Sequence, residues 1–129
     1  MREITISSSR RVEFIDITSK VRKIVEEEEV REGICLIYCP HTTAGLTINE
    51  NADPDVVEDI KSTLGKLIPS GAGYSHIEGN ADAHIKSSII GNSVELIISN
   101  GNLILGTWQG IFFCEFDGPR TRRVWIKIK

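Results

Sequence analysis

Residues 34–39 read Ile34-Cys-Leu-Ile-Tyr-Cys39, a continuous apolar run with the length of a β-strand. Such a run is typical of a strand at the centre of a sheet with both faces covered, so we expect that position here. Pro40 ends the strand, and His41 follows at once. A residue just beyond the end of a central strand is rigidly placed yet exposed, which makes His41 a candidate site residue.

The segments that flank this run have helix and strand patterns in turn. Residues 3–8 are a predicted strand, because apolar and polar side chains alternate there, and a second short strand is predicted at residues 12–17 after the polar segment 8–11. A helix is expected to follow as far as about Val30, capped by Asp16 or Thr18. After the central run, residues 46–49 alternate again. Asp53 and Pro54 then predict the start of a second helix, with a buried stripe. The stripe consists of Val56, Val57, Ile60, Leu64 and Leu67.

A third helix is predicted over residues 83–90, with Asp82 as its N-cap and Gly91 as its C-terminal stop. On this helix, His84 shares a face with Ser87 and Ser88, and Ile85 and Ile89 lie on the other face. A face with small polar side chains leaves room for a ligand. Asn100-Gly101 predicts a hairpin between strands at 94–99 and 103–105. Strands at 108–116 and 124–128 are predicted to pair through Asp117-Gly-Pro-Arg120. The whole chain, 1–129, is therefore expected to be one α+β domain with a mixed, largely antiparallel sheet and about three helices.

Composition restricts the class of protein. The 129 residues are 40% hydrophobic and carry a net charge of −3, which argues against nucleic-acid binding. No apolar run approaches the length of a membrane span, and the N-terminus lacks a signal-peptide core, so we expect a cytoplasmic protein without a membrane partner. Cys35, Cys39 and Cys114 match no metal-ligand spacing and are predicted to be small buried apolar residues.

The three histidines, His41, His76 and His84, all lie beside polar or small residues at a predicted loop or helix start. Three imidazoles with a fourth position open form the usual catalytic zinc arrangement. Their spacing is not a diagnostic signature, and three unrelated surface or hydrogen-bonded histidines explain it equally well. Convergence of the three rings is thus a hypothesis for the structure to examine.

Other candidate residues are the polar side chains close to these histidines in sequence. Glu50 and Asp82 are each able to orient a ligating histidine or act as a general base, and capping alone explains Asp82 as well. Asn49 is a neighbouring amide. Arg120, in its Gly-Pro turn, suits bidentate binding of phosphate or carboxylate, although a plain surface arginine fits the same pattern.

Three long motifs taken together resemble the YjbQ-type, UPF0047 family, described as secondary thiamine-phosphate synthases. They are His41-Thr-Thr-Ala-Gly-Leu-Thr-Ile-Asn-Glu-Asn-Ala-Asp-Pro54, the segment from His76 to Gly91, and Gly106-Thr-Trp-Gln-Gly-Ile-Phe112. The resemblance covers essentially the whole chain. It implies a homotrimer of compact α+β subunits and a metal pocket built from the histidines at positions 41, 76 and 84.

The activity implied by the resemblance joins hydroxymethylpyrimidine diphosphate to thiazole phosphate and releases pyrophosphate. We then expect a divalent metal, with zinc preferred and magnesium as the alternative. Arg120 and Lys86 would meet phosphate, Asn49 would contact substrate, and Trp108 would stack on the pyrimidine; Glu50 or Asp82 would orient a histidine. Two alternatives stay open. One is a metal-dependent hydrolase of a small phosphorylated or acyl substrate, and the other is a non-catalytic trimer that binds a metal or anion.

Overall fold

A computed structural model describes residues 1–129 and contains eight strands and three helices. The strands are β1 (Arg2–Ser7), β2 (Glu13–Asp16), β3 (Gly33–Tyr38), β4 (Ala44–Glu50), β5 (Ser93–Ser99), β6 (Asn102–Leu103), β7 (Gln109–Glu115) and β8 (Thr121–Ile128). The helices are α1 (Thr18–Glu28), α2 (Pro54–Leu67) and α3 (Ala81–Ile90). None of these helices combines the length and the apolar character that a membrane crossing needs.

The strands form two sheets, one of five strands in the order β1-β8-β3-β5-β6 and one of three in the order β2-β7-β4. Every strand pairing is antiparallel, which confirms the α+β class and the largely antiparallel expectation. The central position of β3 is also confirmed. The predicted pairing of the last two strands is wrong, because β7 and β8 belong to different sheets and the turn at Asp117-Gly-Pro-Arg120 carries the chain from one to the other.

The main core lies between the two sheets and includes the inner face of α1. A second, smaller cluster lies on the other side of the three-stranded sheet, where Phe112, Cys114 and Phe116 meet Ala83 of α3 and part of α2. Both faces of β7 are therefore covered, and residues 110–115 are all buried. We predicted a strand covered on both faces at residues 34–39, but the strand with that environment is β7.

On β3, only one face is covered within a single copy of the chain. Cys35 and Ile37 are fully buried, whereas Ile34 is 52% exposed and Tyr38 is 38% exposed. The expectation that both faces are covered is wrong for one copy. The outer face of the five-stranded sheet is instead an open, partly apolar surface.

Two of the three helix starts differ from the prediction. The N-cap of α1 is Ile17, which has no side-chain capping bond, so the predicted cap at Asp16 or Thr18 is wrong; the Asp16 carboxylate accepts from the Thr18 amide just outside that position. Asp53 caps α2 as predicted, with its carboxylate accepting from the Asp55 amide at 2.9 Å. The N-cap of α3 is Asn80, and Asp82 lies inside the first turn because its carboxylate is held elsewhere. The predicted stripe of α2 is only partly covered: Val57 and Leu64 pack on the second cluster, while Leu67 is exposed.

The predictions for the hairpin and for the cysteines are confirmed. Asn100 and Gly101 have positive φ angles and join β5 to β6 as a tight hairpin. All three cysteines are buried free thiols. Burial raises the pKa of the Cys35 and Cys39 thiols to about 11, so both stay protonated at neutral pH.

Candidate functional site

A polar pocket of about 400 Å³ lies between the loop after β3 and the C-terminal half of α3. We call it the histidine pocket. None of its lining residues is hydrophobic; they are His41, Thr42, His84, Ser87, Ser88, Gly91 and Asn92. The predicted polar face of α3 is therefore confirmed, with His84, Ser87 and Ser88 on one wall. The pocket suits a small, strongly polar ligand.

Helix α3 is held against β4 by contacts that leave little freedom to the pocket wall. The Ser87 hydroxyl donates to the Ala44 carbonyl at 2.7 Å, and the Leu46 amide donates to the Gly91 carbonyl at 3.0 Å. Gly45 permits this approach, because a Cβ at that position would collide with the Gly91 carbonyl. Gly91 itself has φ of 98°, a conformation that favours glycine at a helix end.

The His41 ring is fixed by the backbone of β8. Its Nε2 accepts a hydrogen bond from the Arg123 amide at 3.0 Å. Burial and the nearby positive charge of Arg122 lower the pKa of His41, so the ring is neutral near pH 7. A neutral imidazole carries one proton, and the bond at Nε2 places it on Nδ1. His41 can therefore donate this N–H to a ligand.

A buried ion pair, Arg122 with Glu115, lies next to the loop that carries His41 and binds to it through Thr43. The Arg122 guanidinium bonds to both carboxylate oxygens of Glu115, and it also donates to the Thr43 hydroxyl at 2.8 Å. The Ser8 hydroxyl donates to Glu115 at 2.7 Å. Sequence reasoning missed this network. The available signal was Glu115 itself, a charge within an apolar strand that has to find a partner when buried.

His76 and His84 lie side by side, with ring centroids 5.2 Å apart and the rings edge to face. Two imidazoles that share one tetrahedral zinc, with Zn–N bonds of about 2.0–2.1 Å, hold their centroids roughly 5 Å apart, so the spacing of this pair fits a shared metal. The third predicted ligand does not complete the set in one copy. His41 Nε2 is engaged by the Arg123 amide, and no group of three His, Cys, Asp or Glu side chains gathers around one point.

Asp82 and Lys86 lie on the far side of α3 from His84. The Asp82 carboxylate accepts two bonds from Arg11 and one from Lys86 at 3.0 Å. Burial raises the pKa of Asp82, but these hydrogen bonds outweigh it and hold the pKa below its ordinary value. In one copy, neither residue lines the histidine pocket. A single copy therefore does not place Asp82 where it could orient a histidine, or Lys86 where it could meet a phosphate in that pocket.

Asn49, Glu50 and Trp108 lie at the opposite end of β4 from the histidine pocket. Strand β4 has seven residues, and the six steps from Ala44 to Glu50 span roughly 20 Å. Trp108 is 63% exposed, and its carbonyl accepts from the Asn51 amide. Arg120 is held in its turn by the carbonyl and carboxylate of Asp117. In a single copy, His41 and His84 line one pocket, and His76 lies beside His84. The other predicted site residues do not lie in that pocket.

The fold and the pocket define a small α+β protein with paired antiparallel sheets and a polar, histidine-lined cleft. The sequence matches the family described as UPF0047 protein YjbQ-like over residues 2–129, and the chain belongs to this family. UPF0047 protein MJ1081 of Methanocaldococcus jannaschii is 54% identical, over 95% of this chain and 89% of the relative. UPF0047 protein YugU of Bacillus subtilis is 52% identical, over 99% of this chain and 98% of the relative.

Solved structures agree with this assignment. An uncharacterised YjbQ/UPF0047 protein from Clostridium acetobutylicum superposes with a TM-score of 0.98 at 54% identity, covering 100% of both chains. A YbjQ-like protein of unknown function from Sulfolobus solfataricus superposes with a TM-score of 0.95 at 35% identity, covering 98% of this chain and 94% of that one.

Proposed function

We propose that this chain is an enzyme that acts on a small phosphorylated substrate in the histidine pocket. The observation that carries the proposal is the presence of two imidazoles, His41 and His84, in one pocket that no hydrophobic residue lines. Imidazoles transfer protons near neutral pH and donate hydrogen bonds to phosphate oxygens. The hydroxyls of Thr42 and Ser88 add further donors on the same walls.

The specific reaction we propose is thiamine-phosphate synthesis, on the strength of the family resemblance. The thiazole nitrogen forms a bond to the methylene carbon of hydroxymethylpyrimidine diphosphate as the bond from that carbon to the pyrophosphate oxygen breaks. Negative charge develops on the departing pyrophosphate. His41, through its Nδ1–H, and the neighbouring hydroxyls would donate hydrogen bonds to it. His84, whose ring has no hydrogen bond to the protein, is free to exchange a proton.

The test is a product assay with purified protein, both substrates and each of several divalent metals. We expect thiamine phosphate and pyrophosphate in equal amounts. Tight binding of both substrates with no product would favour the non-catalytic alternative. Release of inorganic phosphate without thiamine phosphate would favour the hydrolase.

The second candidate, a metal-dependent hydrolase, is favoured by the spacing of His76 and His84. A divalent metal, with zinc preferred over magnesium, would supply Lewis-acid chemistry there. His76 and His84 would hold it, and a neighbouring copy would complete the ligand set. Elemental analysis of purified protein is expected to find about one zinc per chain, and His76→Ala is expected to lose it while Glu78→Gln retains it. Equal metal content in the wild type and His76→Ala would contradict this assignment.

We propose a homotrimer that uses the outer face of the five-stranded sheet. Ile34 and Ile97 are cross-strand partners there, and Tyr38 stacks on Trp125 with ring centroids 6.1 Å apart. Leu36 of β3 has Glu95 of β5 as its cross-strand neighbour on one side and Lys127 of β8 on the other. The same surface therefore carries apolar side chains and charges of both signs. Such a face suits contact with a second copy of itself. We place the trimer in the cytoplasm, consistent with three free thiols.

Ile97→Lys is expected to dissociate this assembly, because it replaces an apolar side chain of the proposed contact with a charged one. Ile89→Lys is the matched control, since Ile89 on α3 has the same exposure of 62%. Light scattering after gel filtration should give three times the 14.3 kDa chain mass for the wild type and the control, and the mass of one chain for Ile97→Lys. A monomeric wild type, or dissociation by Ile89→Lys alone, would refute the proposed interface.

A further inference from the structure

We propose that a second pocket, between α2 and α3, binds a small molecule with an oxyanion head on a short apolar group. This lysine pocket has a volume of about 280 Å³. Its polar and small lining residues are Glu58, Lys61, Ser62, Gly65 and Lys86, and its apolar ones are Val12, Leu64 and Phe116. Lys86 is two residues from His84, and two residues of an α-helix turn a side chain by about 200°. The lysine pocket therefore lies on the opposite side of α3 from the histidine pocket and is a separate site.

Lys86 is the main reason for assigning a ligand here. Its side chain is only 5% exposed, and its ammonium makes one bond, to Asp82 at 3.0 Å. An ammonium has three donors, so two of them have no acceptor in the protein. Unsatisfied donors on a buried charge are costly, and an acceptor in the pocket would remove that cost. An oxyanion offers acceptors of the required charge.

The local charges also favour an anion. The Asp82 carboxylate is already held by two bonds from Arg11, so Lys86 is not needed to neutralise it. Lys61 pairs with Glu58 at 2.8 Å on the pocket rim. The ionised groups here are three positive, Arg11, Lys61 and Lys86, and two negative, Glu58 and Asp82. Asp117, which also lies near Arg11, is paired with Arg120, so one positive charge remains. This excess attracts a monoanion and disfavours a cation.

The rest of the pocket limits the size and character of the ligand. Val12, Leu64 and Phe116 supply an apolar wall, and Ser62 adds a hydroxyl near the opening. The volume lies just below the range of about 300–1,000 Å³ typical of sites for drug-sized ligands. A short carboxylate or a small phosphate ester fits both the volume and this division between charged and apolar walls.

Titration of the ¹⁵N-labelled full chain with butyrate and, separately, with inorganic phosphate tests the proposal by amide chemical shifts. We expect saturable shifts at Ser62, Gly65 and Lys86, with a Kd of about 1 mM or tighter for at least one anion. Tighter binding of butyrate would show that the apolar wall contributes, and tighter binding of phosphate would assign the head group as phosphate. Lys86→Met is expected to raise the Kd at least tenfold, because a charge-assisted hydrogen bond is lost. Lys66→Met is the control and should leave the Kd unchanged, because Lys66 is an exposed lysine of α2 that does not line the pocket.

Ser62→Trp provides a second variant that leaves the buried Lys86–Asp82 pair intact. The indole would block the opening, so binding should be lost while the fold is retained, even if Lys86→Met does not fold. The proposal would be overturned by shifts confined to Ser88 and Asn92, by no saturable shift with either anion, or by a Kd that folded Lys86→Met or Ser62→Trp leaves unchanged. Because the readout is binding at a separate site, its failure would leave the proposed activity of the histidine pocket standing.

Discussion

Replacing Glu115 by glutamine is expected to lower the free energy of unfolding by about 3–5 kcal/mol, the usual cost of breaking a buried ion pair from one side. Glu115 is fully buried, and its partner Arg122 is 5% exposed. The glutamine keeps the shape of the side chain but leaves the guanidinium charged and without a counter-ion. It also weakens the acceptor for the Ser8 hydroxyl. Urea denaturation followed by circular dichroism measures the difference.

The pH dependence gives this prediction an internal check. Burial pushes the pKa of Glu115 upward, but the hydrogen bonds from Arg122 and Ser8 outweigh it and hold the pKa below the ordinary value. A carboxylate with a lowered pKa contributes stability that is present above its unfolded pKa, about 4.3, and lost as the pH falls through the folded pKa. The difference between the wild type and Glu115→Gln should therefore shrink below about pH 4.

Glu27→Gln is the matched control, because Glu27 pairs with Arg2 on the surface. Exposed pairs of this kind contribute little, so this variant should unfold at nearly the same urea concentration as the wild type. Equal stability of Glu115→Gln and Glu27→Gln would show that the buried network does not hold the His41 loop as described.

His84→Gln is expected to reduce kcat by about 10²- to 10⁴-fold, the usual contribution of a positioned acid–base group. The loss should appear in kcat for thiamine-phosphate formation more than in KM, because His84 is proposed to act on the reacting groups. Its ring is only half-buried and has no hydrogen bond to the protein, so the free energy of unfolding should change little. Steady-state kinetics combined with a urea titration separates the two effects.

Ile89→Gln provides the control for this substitution. Ile89 lies on the same helix, is exposed, and does not line the histidine pocket. It should retain wild-type turnover. Unchanged kcat in folded His84→Gln would remove His84, and with it the histidine pocket, from the catalytic account.

Much of the local structure was predictable because short-range chemistry controls it. Asp53 and Pro54 start α2, Asn100-Gly101 forms a hairpin, and Gly91 ends α3, since each depends on a few adjacent residues. The polar face of α3 followed from helical periodicity in the same way.

Pairings between distant segments were not predictable in this way. The turn at Asp117-Gly-Pro-Arg120 has the composition of a hairpin, yet it joins two sheets, because β8 pairs with β1 and β3 instead. An apolar run also cannot reveal what covers it. The outward side chains of β3, Ile34 and Tyr38, have the same composition as buried ones but lie on an open face.

The candidate site was predictable in its residue types but not in its geometry. His41 and His84 share a pocket, and His76 lies beside His84, as their polar surroundings indicated. The His41 ring accepts a hydrogen bond from the Arg123 amide, 82 residues away in the sequence. A contact between such distant residues cannot be predicted from the local pattern of apolar and polar residues. Helical periodicity does turn Lys86 away from His84, but it does not reveal the residues of α2 that form the rest of the lysine pocket.

The most direct measurement of the central claim is NMR of the chain labelled with ¹⁵N in its three histidine rings, titrated with pyrophosphate. We predict saturable shifts of the His41 and His84 ring nitrogens, with His41 remaining protonated at Nδ1 as the bond at Nε2 requires. Pyrophosphate binding that leaves both of these rings unshifted would contradict the assignment of the histidine pocket as the active site.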